Sequence, residues 1–204
     1  MPLDLYLAFV AATVVLIAIP GPNVALIVAN SVAHGARYGL LTVAGTSSAM
    51  AIQLALTVAG MSAALALLAA WFEVLRWLGV AYLAYLGWRA WTAPAHDLTT
   101  ARAQPRSARR IYGRGFLVSL ANPKTLLFYG AFLPQFVSPH GDATGQLVLL
   151  SATFLALALV LDGVWALAAA RLAGLLGDRG RLRQRLTGGL LLGAAAGLAL
   201  ARRP

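Results

Sequence analysis

The pentapeptide Ile19-Pro20-Gly21-Pro22-Asn23 cuts an apolar run that extends from about Leu5 to Asn30. Proline lacks a backbone donor and clashes with the preceding helical turn. Glycine admits backbone shapes closed to other residues. Pro20 and Pro22 on either side of Gly21 therefore unwind a turn within the run. If the run lies in a bilayer, its freed backbone groups cannot face lipid, so the turn must be buried or line a watery cavity. Asn23 adds a side-chain amide beside it.

The device recurs in the apolar stretch from about Gly115 to Phe136, which Asn122-Pro123-Lys124 interrupts. Asn122 suits the cap of a new half-helix, and Pro123 its first position, where a missing N–H costs nothing. About thirteen residues then lead from Pro22 to Gly35 and from Pro123 to Phe136. At about 1.5 Å per residue that is roughly 20 Å, so each break falls somewhat beyond the middle of a hydrocarbon core about 30 Å thick.

Composition supports the bilayer. Of 204 residues, 60% are hydrophobic and 11% charged, against about 25% charged in soluble domains. The mean hydropathy is +0.78. A soluble globule of this size cannot hide so much apolar surface, which excludes soluble enzymes and disordered tails. The net charge of +10 comes from 16 basic and 6 acidic residues. These bases sit between apolar runs, where they set membrane orientation. No nucleic-acid partner is expected, because no fold signature accompanies the charge. With no cysteine, thiolate metal sites, iron–sulfur clusters and disulfides are excluded. His34, His96 and His140 are not at metal-ligand spacing, and neither metal nor cofactor is expected.

The remaining apolar stretches cover about Gly39–Ala70, Phe72–Trp91, Leu147–Ala170 and Leu186–Ala201. The last is short for a span of about 17–25 residues, so a five-span arrangement stays open. The first stretch reads as a retained span, since Asp4 is the only charge near the start and no basic run precedes it. The third loop holds Arg102, Arg106, Arg109, Arg110 and Arg114 against Asp97, and the fifth holds Arg171, Arg179, Arg181, Arg183 and Arg185 against Asp178. With Arg37 in the first loop, loops one, three and five are assigned to the cytoplasm. Six spans then put both termini outside, an assignment that Arg202 and Arg203 oppose.

The expected fold is all-α. It is a polytopic membrane protein with six transmembrane helices in two inverted three-helix halves, and the first and fourth helices are discontinuous. It forms a single transmembrane domain over residues 1–204, with a first half of about 1–93, a cytoplasmic linker of about 94–112 and a second half of about 113–204. Paired discontinuous helices in corresponding positions of two halves point to a substrate site between them. Half-helix starts carry free N–H groups and partial positive charge suited to a carboxylate. Pro20, Gly21, Pro22, Asn23, Asn122, Pro123 and Lys124 are thus candidate substrate-binding residues. Against this stands the alternative that the breaks are kinks shaping packing alone.

Asp162 lies inside the fifth stretch. Twelve Leu, Val or Phe residues between Leu147 and Leu167 offset it, at about 0.3–0.6 kcal/mol each against about 2.5–3.5 for one central Asp. An ionisable group in a span is a functional candidate. Asp162 is expected to exchange a proton or attract an amino group, or else to partner Lys124. Lys124 has its own alternative as a snorkelling side chain. Thr46, Gln53, Thr57 and Gly60 share one helical face, which suits a cavity wall or interhelical bonding; Gln53 joins the candidate substrate-binding set. Gly189, Gly193 and Gly197 form a stripe for close helix packing, either inside one protomer or between the two copies of a homodimer. Trp71, Trp77, Trp88 and Trp91 flank the third stretch as interfacial anchors, and Trp165 is expected near Asp162.

Pro20-Gly21-Pro22-Asn23, followed by Gly35-Ala36-Arg37-Tyr38-Gly39-Leu40, resembles the opening of the LysE/RhtB family of amino-acid exporters. Tyr82-Leu83-Ala84-Tyr85-Leu86-Gly87-Trp88-Arg89 and Gly115-Phe116-Leu117 are similar too, as are Asn122-Pro123-Lys124 and Phe132-Leu133-Pro134-Gln135-Phe136. The resemblance covers nearly the whole chain and is nearer the homoserine/threonine-type branch than the lysine/arginine branch. It implies a multi-pass permease of the bacterial inner (cell) membrane that exports a small amino acid or derivative by proton antiport. Its partners would be that substrate and membrane lipid. The rivals are a membrane-embedded enzyme, which lacks a nucleophile–base set or a carboxylate pair, and a non-transporting membrane scaffold.

Overall fold

The computed structural model describes residues 1–59, 74, 77, 78, 80–89, 91, 92, 107–139, 141–175 and 180–200. Every regular element among the described residues is helical. Helix α1 spans Leu3–Ala18, with Asp4 in its first turn, where an acid suits the positive end of the helix. It stops at Ile19, which is extended at φ −70°, ψ 117°, as expected for a residue held before proline. Gly21, also before a proline, is extended too. Helix α2 then runs over Pro22–His34 with Pro22 in its first turn, bent 51° from α1. Gly35, at φ 95°, ends α2 and opens α3 (Ala36–Val58). That backbone conformation is open to glycine and strained for other residues.

Residues 80–89 are helical, within the third apolar stretch. The continuation of the second stretch past residue 59 lies outside the described residues, as do Gly60, Trp71, His140 and residues 94–106 of the linker with His96. Helix α4 covers Ala108–Leu120 and so begins inside the predicted linker, ahead of the apolar run. Arginine is a good helix former, and Ile111, Gly115, Val118 and Ser119 are buried at helical spacing while Arg109 and Arg110 stay exposed.

After the second break, α5 is short, Pro123–Leu127. A π-helical turn follows at Phe128–Phe132 and a 3₁₀ turn at Leu133–Phe136. The expected regular half-helix therefore ends early. Pro134 cannot donate to Gly130, so the α ladder cannot continue through it. Helix α6 spans Ala143–Leu175, and α7 spans Gly180–Leu200. Ala36–Val58 and Ala143–Gly174 are long and apolar enough to cross a membrane, and the bent α1–α2 pair makes a third if it is one span.

Helix α2 is the axis of the fold. It packs against α3, α4, α6 and α7, and Pro22 through Ile27 are all buried. On one side Phe9, Ile17, Met50, Phe128, Leu133 and Phe154 share a core. On the other, Leu26, Leu83, Val118 and Leu191 share a second. By contrast, α1 leaves Leu3, Leu7, Val15 and Ile19 exposed, the pattern of a helix bordering lipid.

Backbones meet closely at two crossings. A Cβ at Gly45 of α3 would overlap the Tyr112 carbonyl of α4, and one at Gly115 would lie 2.6 Å from the Thr42 carbonyl. Gly87 and Gly188 face one another similarly, and a Cβ added to either would lie 3.0–3.1 Å from the other's carbonyl oxygen. The predicted glycine stripe of α7 is thus off by one position for packing inside the protomer. Gly188 makes the close approach, while Gly193 and Gly197 open onto a groove with nothing within 4 Å of an added Cβ.

Candidate functional site

In a continuous helix the Ile19 carbonyl would take the N–H of Asn23, and the Leu120 carbonyl that of Lys124. Both residues stand three positions before a helix-opening proline, and the breaks deprive both carbonyls of those partners. Each is satisfied by a side chain from the other half of the sequence. Lys124 Nζ donates to the Ile19 carbonyl, and Gln53 Nε2 donates to the Leu120 carbonyl at 3.3 Å. Asn23 Nδ2 also reaches across to Ser119 Oγ at 3.2 Å, and Ser119 Oγ donates to the Thr46 carbonyl at 3.1 Å. The two breaks therefore hold each other open, because burial requires that such groups find partners.

The helix starts differ. Asn122 caps α5, its Oδ1 accepting from the Lys124 backbone N–H at 3.1 Å, and Thr125 Oγ1 donates to the Asn122 carbonyl at 3.0 Å. At α2 the cap residue is Gly21, and no side chain caps the helix. The positive end of α2 is thereby left for another acceptor.

Between the breaks lies a cavity of about 30 Å³. Gly21, Asn23, Asn122, Lys124, Thr125 and Asp162 supply its polar wall, and Leu16, Val24, Met50 and Phe154 are among its apolar residues. Asp162 is 2% exposed. Among the described residues no ion pair joins it to Lys124, whose Nζ is engaged at Ile19. Asn23 Oδ1, also buried, has no hydrogen-bond partner in the structure.

The predicted residues thus divide into groups. Gly21, Asn23, Asn122, Lys124 and Asp162 share the cavity. Pro20 and Pro22 instead line a neighbouring apolar groove between α1 and α7. Pro123 occupies the first turn of α5. Gln53 stands behind the cavity as the partner of Leu120, and Thr57 Oγ1 donates to its carbonyl at 2.9 Å. On the polar face of α3, Gln53 therefore bonds between helices, whereas the Thr46 and Thr57 hydroxyls donate to carbonyls of their own helix. Trp165 is 36% exposed and does not line the cavity.

Sequence reasoning missed Ser119, Thr125 and Tyr129. Thr125 was signalled by its place in the first turn after Asn122-Pro123. Ser119 had no local signal, since its partners Asn23 and Thr46 are far away in sequence. Tyr129 is fully buried in the π turn, stacked edge-on against Phe154 with its hydroxyl unpartnered.

Comparison with known proteins identifies the family. The family description "LysE type translocator" matches residues 14–202. The chain is 30% identical over 174 residues to a homoserine/homoserine lactone efflux protein of Salmonella typhimurium, covering 85% of this chain and 84% of that protein. It is 32% identical over 143 residues to a leucine efflux protein of Klebsiella pneumoniae, covering 69% and 66%. An uncharacterized membrane protein of Vibrio cholerae is 29% identical over 170 residues, covering 83% of each. No solved structure matches. A family match over most of the chain, joined to two proline-broken helices that meet in an apolar all-helical bundle, leads to one conclusion: the chain belongs to the LysE type translocators, a transporter family of the bacterial inner membrane and not a family of enzymes.

Proposed function

We propose that this protein is a six-span, two-halved exporter that carries a small amino acid out of the cell in exchange for protons. Loops one, three and five lie in the cytoplasm, and the linker of about 94–112 joins the halves. The substrate carboxylate binds at the uncapped start of α2, beside Gly21 and Asn23 and near the Lys124 ammonium. Its ammonium group faces Asp162, which takes up and releases the exchanged proton. Asn122, Pro20, Pro22, Pro123 and Gln53 hold the breaks in shape around it. The names of the relatives support an amino-acid cargo.

One observation carries the reading: residues of both breaks and the buried Asp162 bound a single cavity. A zwitterion needs opposite charges at short range, and this wall offers a cation and bare helix amides opposite a carboxylate. At about 30 Å³ the cavity holds roughly one water. The structure is therefore a closed form, and loading requires the halves to part.

Purified protein in vesicles, given a panel of labelled amino acids under an imposed pH gradient, tests both claims. Flux of at least one amino acid that rises with the gradient supports the proposal. Flux without pH dependence removes the proton, and no flux of any amino acid removes the exporter.

A further inference from the structure

One helical face forms the α6 side of the cavity between the breaks. Phe154, Ala158 and Asp162 follow at successive turns, and all three bound the cavity. Thr125 of α5 bounds it too. Tyr129, one turn beyond Thr125, stands behind that wall, its ring edge-on to Phe154 with centroids 5.1 Å apart. It is fully buried, and its hydroxyl has no hydrogen-bond partner. Asp162 is near enough for the two groups to interact electrostatically. Among the described residues Lys124 is the other titratable group whose charge bears on Asp162. Asn23 from α2, Met50 from α3 and Leu16 from α1 bring no titratable atom to the cavity.

The course of the chain fixes the side on which Tyr129 lies. From the second break, α5 and the π turn run toward the fourth loop, and α6 returns from that loop past Leu150 and Phe154 to Asp162. Phe9, Phe128, Leu133, Leu150 and Phe136 pack with Tyr129 and Phe154 on that side, so an apolar plug separates the cavity from the fourth loop. The orientation proposed above puts this loop outside. A proton entering from outside must pass the plug to reach Asp162, and hydrocarbon has no group to carry it. Tyr129 supplies a hydroxyl within the plug. A hydroxyl buried without a partner costs stability, so this one does nothing for the fold. It also sits in a π-helical turn, a rare geometry that gathers at functional positions.

We propose that the Tyr129 hydroxyl relays the exchanged proton between the outer side and Asp162. This rests on the exporter reading above and deepens it, by naming the group through which the carboxylate is reached. The step balances with water alone. A protonated water on the outer side forms an O–H bond to the phenol oxygen. The phenol's own O–H bond breaks, and its hydrogen passes to the carboxylate through a water in the cavity. At about 30 Å³ the cavity has room for that water. The phenol is neutral before and after; the outer water has lost one proton and Asp162 has gained one. A phenylalanine at this position keeps the ring beside Phe154 and loses the relay.

The test uses full-length protein in vesicles with an amino acid that the parent carries, and compares the parent with Tyr129→Phe and Tyr6→Phe. Two fluxes are measured. One is outward flux driven by an acidic outside. The other is exchange of labelled amino acid inside for unlabelled outside at equal pH, which needs no net proton movement. Tyr129→Phe should lower the gradient-driven flux at least about tenfold, as loss of a positioned proton carrier does, and leave the exchange within about twofold. Its thermal midpoint should equal or exceed the parent's, because an unpartnered polar group has been removed. Tyr6→Phe removes a hydroxyl that is bonded to Thr153 Oγ1 at 3.0 Å and should keep both fluxes within about twofold. Gradient-driven flux of Tyr129→Phe within about twofold of the parent would overturn the relay. So would an equal fall in both fluxes, or a membrane level below about half the parent's, since either assigns the hydroxyl to structure. These outcomes leave the exporter standing, whereas a parent without pH-dependent flux removes proton exchange and the relay with it.

Discussion

Lys124, which follows the second break, donates its ammonium hydrogen to the carbonyl of Ile19, the residue that ends the helix before the first. A hydrogen bond from a charged donor contributes about 1.5–3 kcal/mol, and this one also places the charge beside the cavity. Lys124→Met keeps an unbranched stem one atom shorter and removes the donor. We expect it to lower the thermal midpoint and to cut export at least about tenfold. Lys124→Met with parental flux would show that neither the bond nor the charge matters.

Gln53 performs the matching service for Leu120. Gln53→Leu leaves a buried carbonyl without its donor, at a cost of about 1–3 kcal/mol. Its own Oε1 lacks a partner in the parent, so its removal offsets part of the loss. We expect destabilisation toward the lower end of that range, read by unfolding in detergent. An unchanged midpoint would assign the Leu120 carbonyl some other partner.

Asp162→Asn keeps the shape and removes the exchangeable proton. Under the proposed exchange, the parent's outward flux rises as the outside is made more acidic, because protons then enter down a steeper gradient. The variant's flux should stay flat across the same gradients, while its level in the membrane stays within about twofold of the parent. A parental pH response in Asp162→Asn vesicles removes the residue from the coupling step.

Gly115→Ala tests the α3–α4 crossing. An added methyl meets the Thr42 carbonyl at 2.6 Å, and overpacking of this kind costs about 1–3 kcal/mol. Gly113→Ala, on the same helix with nothing within 4 Å of its Cβ, is the control and should be neutral or slightly stabilising. Equal midpoints for the two variants would mean the helices separate easily at that point.

Pro22→Ala restores a backbone donor at the first break. With the donor back, the turn can close toward α1, and the 51° bend should diminish. Substrate half-saturation is expected to rise about tenfold; binding as tight as the parent's would detach the bend from the site.

The breaks were legible because prolines within an apolar run leave few alternatives: Ile19 through Asn23 and Asn122 through Lys124 fall where the helices stop. Asp162 was legible for a related reason, as an acid in a span that must justify its own insertion. The bonds from Lys124 to Ile19 and from Gln53 to Leu120 were not legible, because each joins residues brought together by tertiary packing alone. Periodicity likewise marked three glycines on α7 yet could not say which face meets the residue 80–89 helix, and the contact falls to Gly188. The π turn at Phe128–Phe132 gave no warning, since its aromatic residues suit an ordinary helix equally well.

The unlike caps of α2 and α5 carry one more consequence. Two inverted halves with identical ends would make an exchanger whose inner and outer mouths are mirror equivalents. Here Asn122 occupies an amide at one half-helix start while Gly21 leaves the other without a side-chain cap. Under the proposed exchange the gradients still fix the direction of net flow, as thermodynamics requires, but the resting affinities on the two sides of the membrane would differ. A molecule inserted backwards in a vesicle would reach the same equilibrium by a kinetically distinct path, and that rectification is written in a single carboxamide.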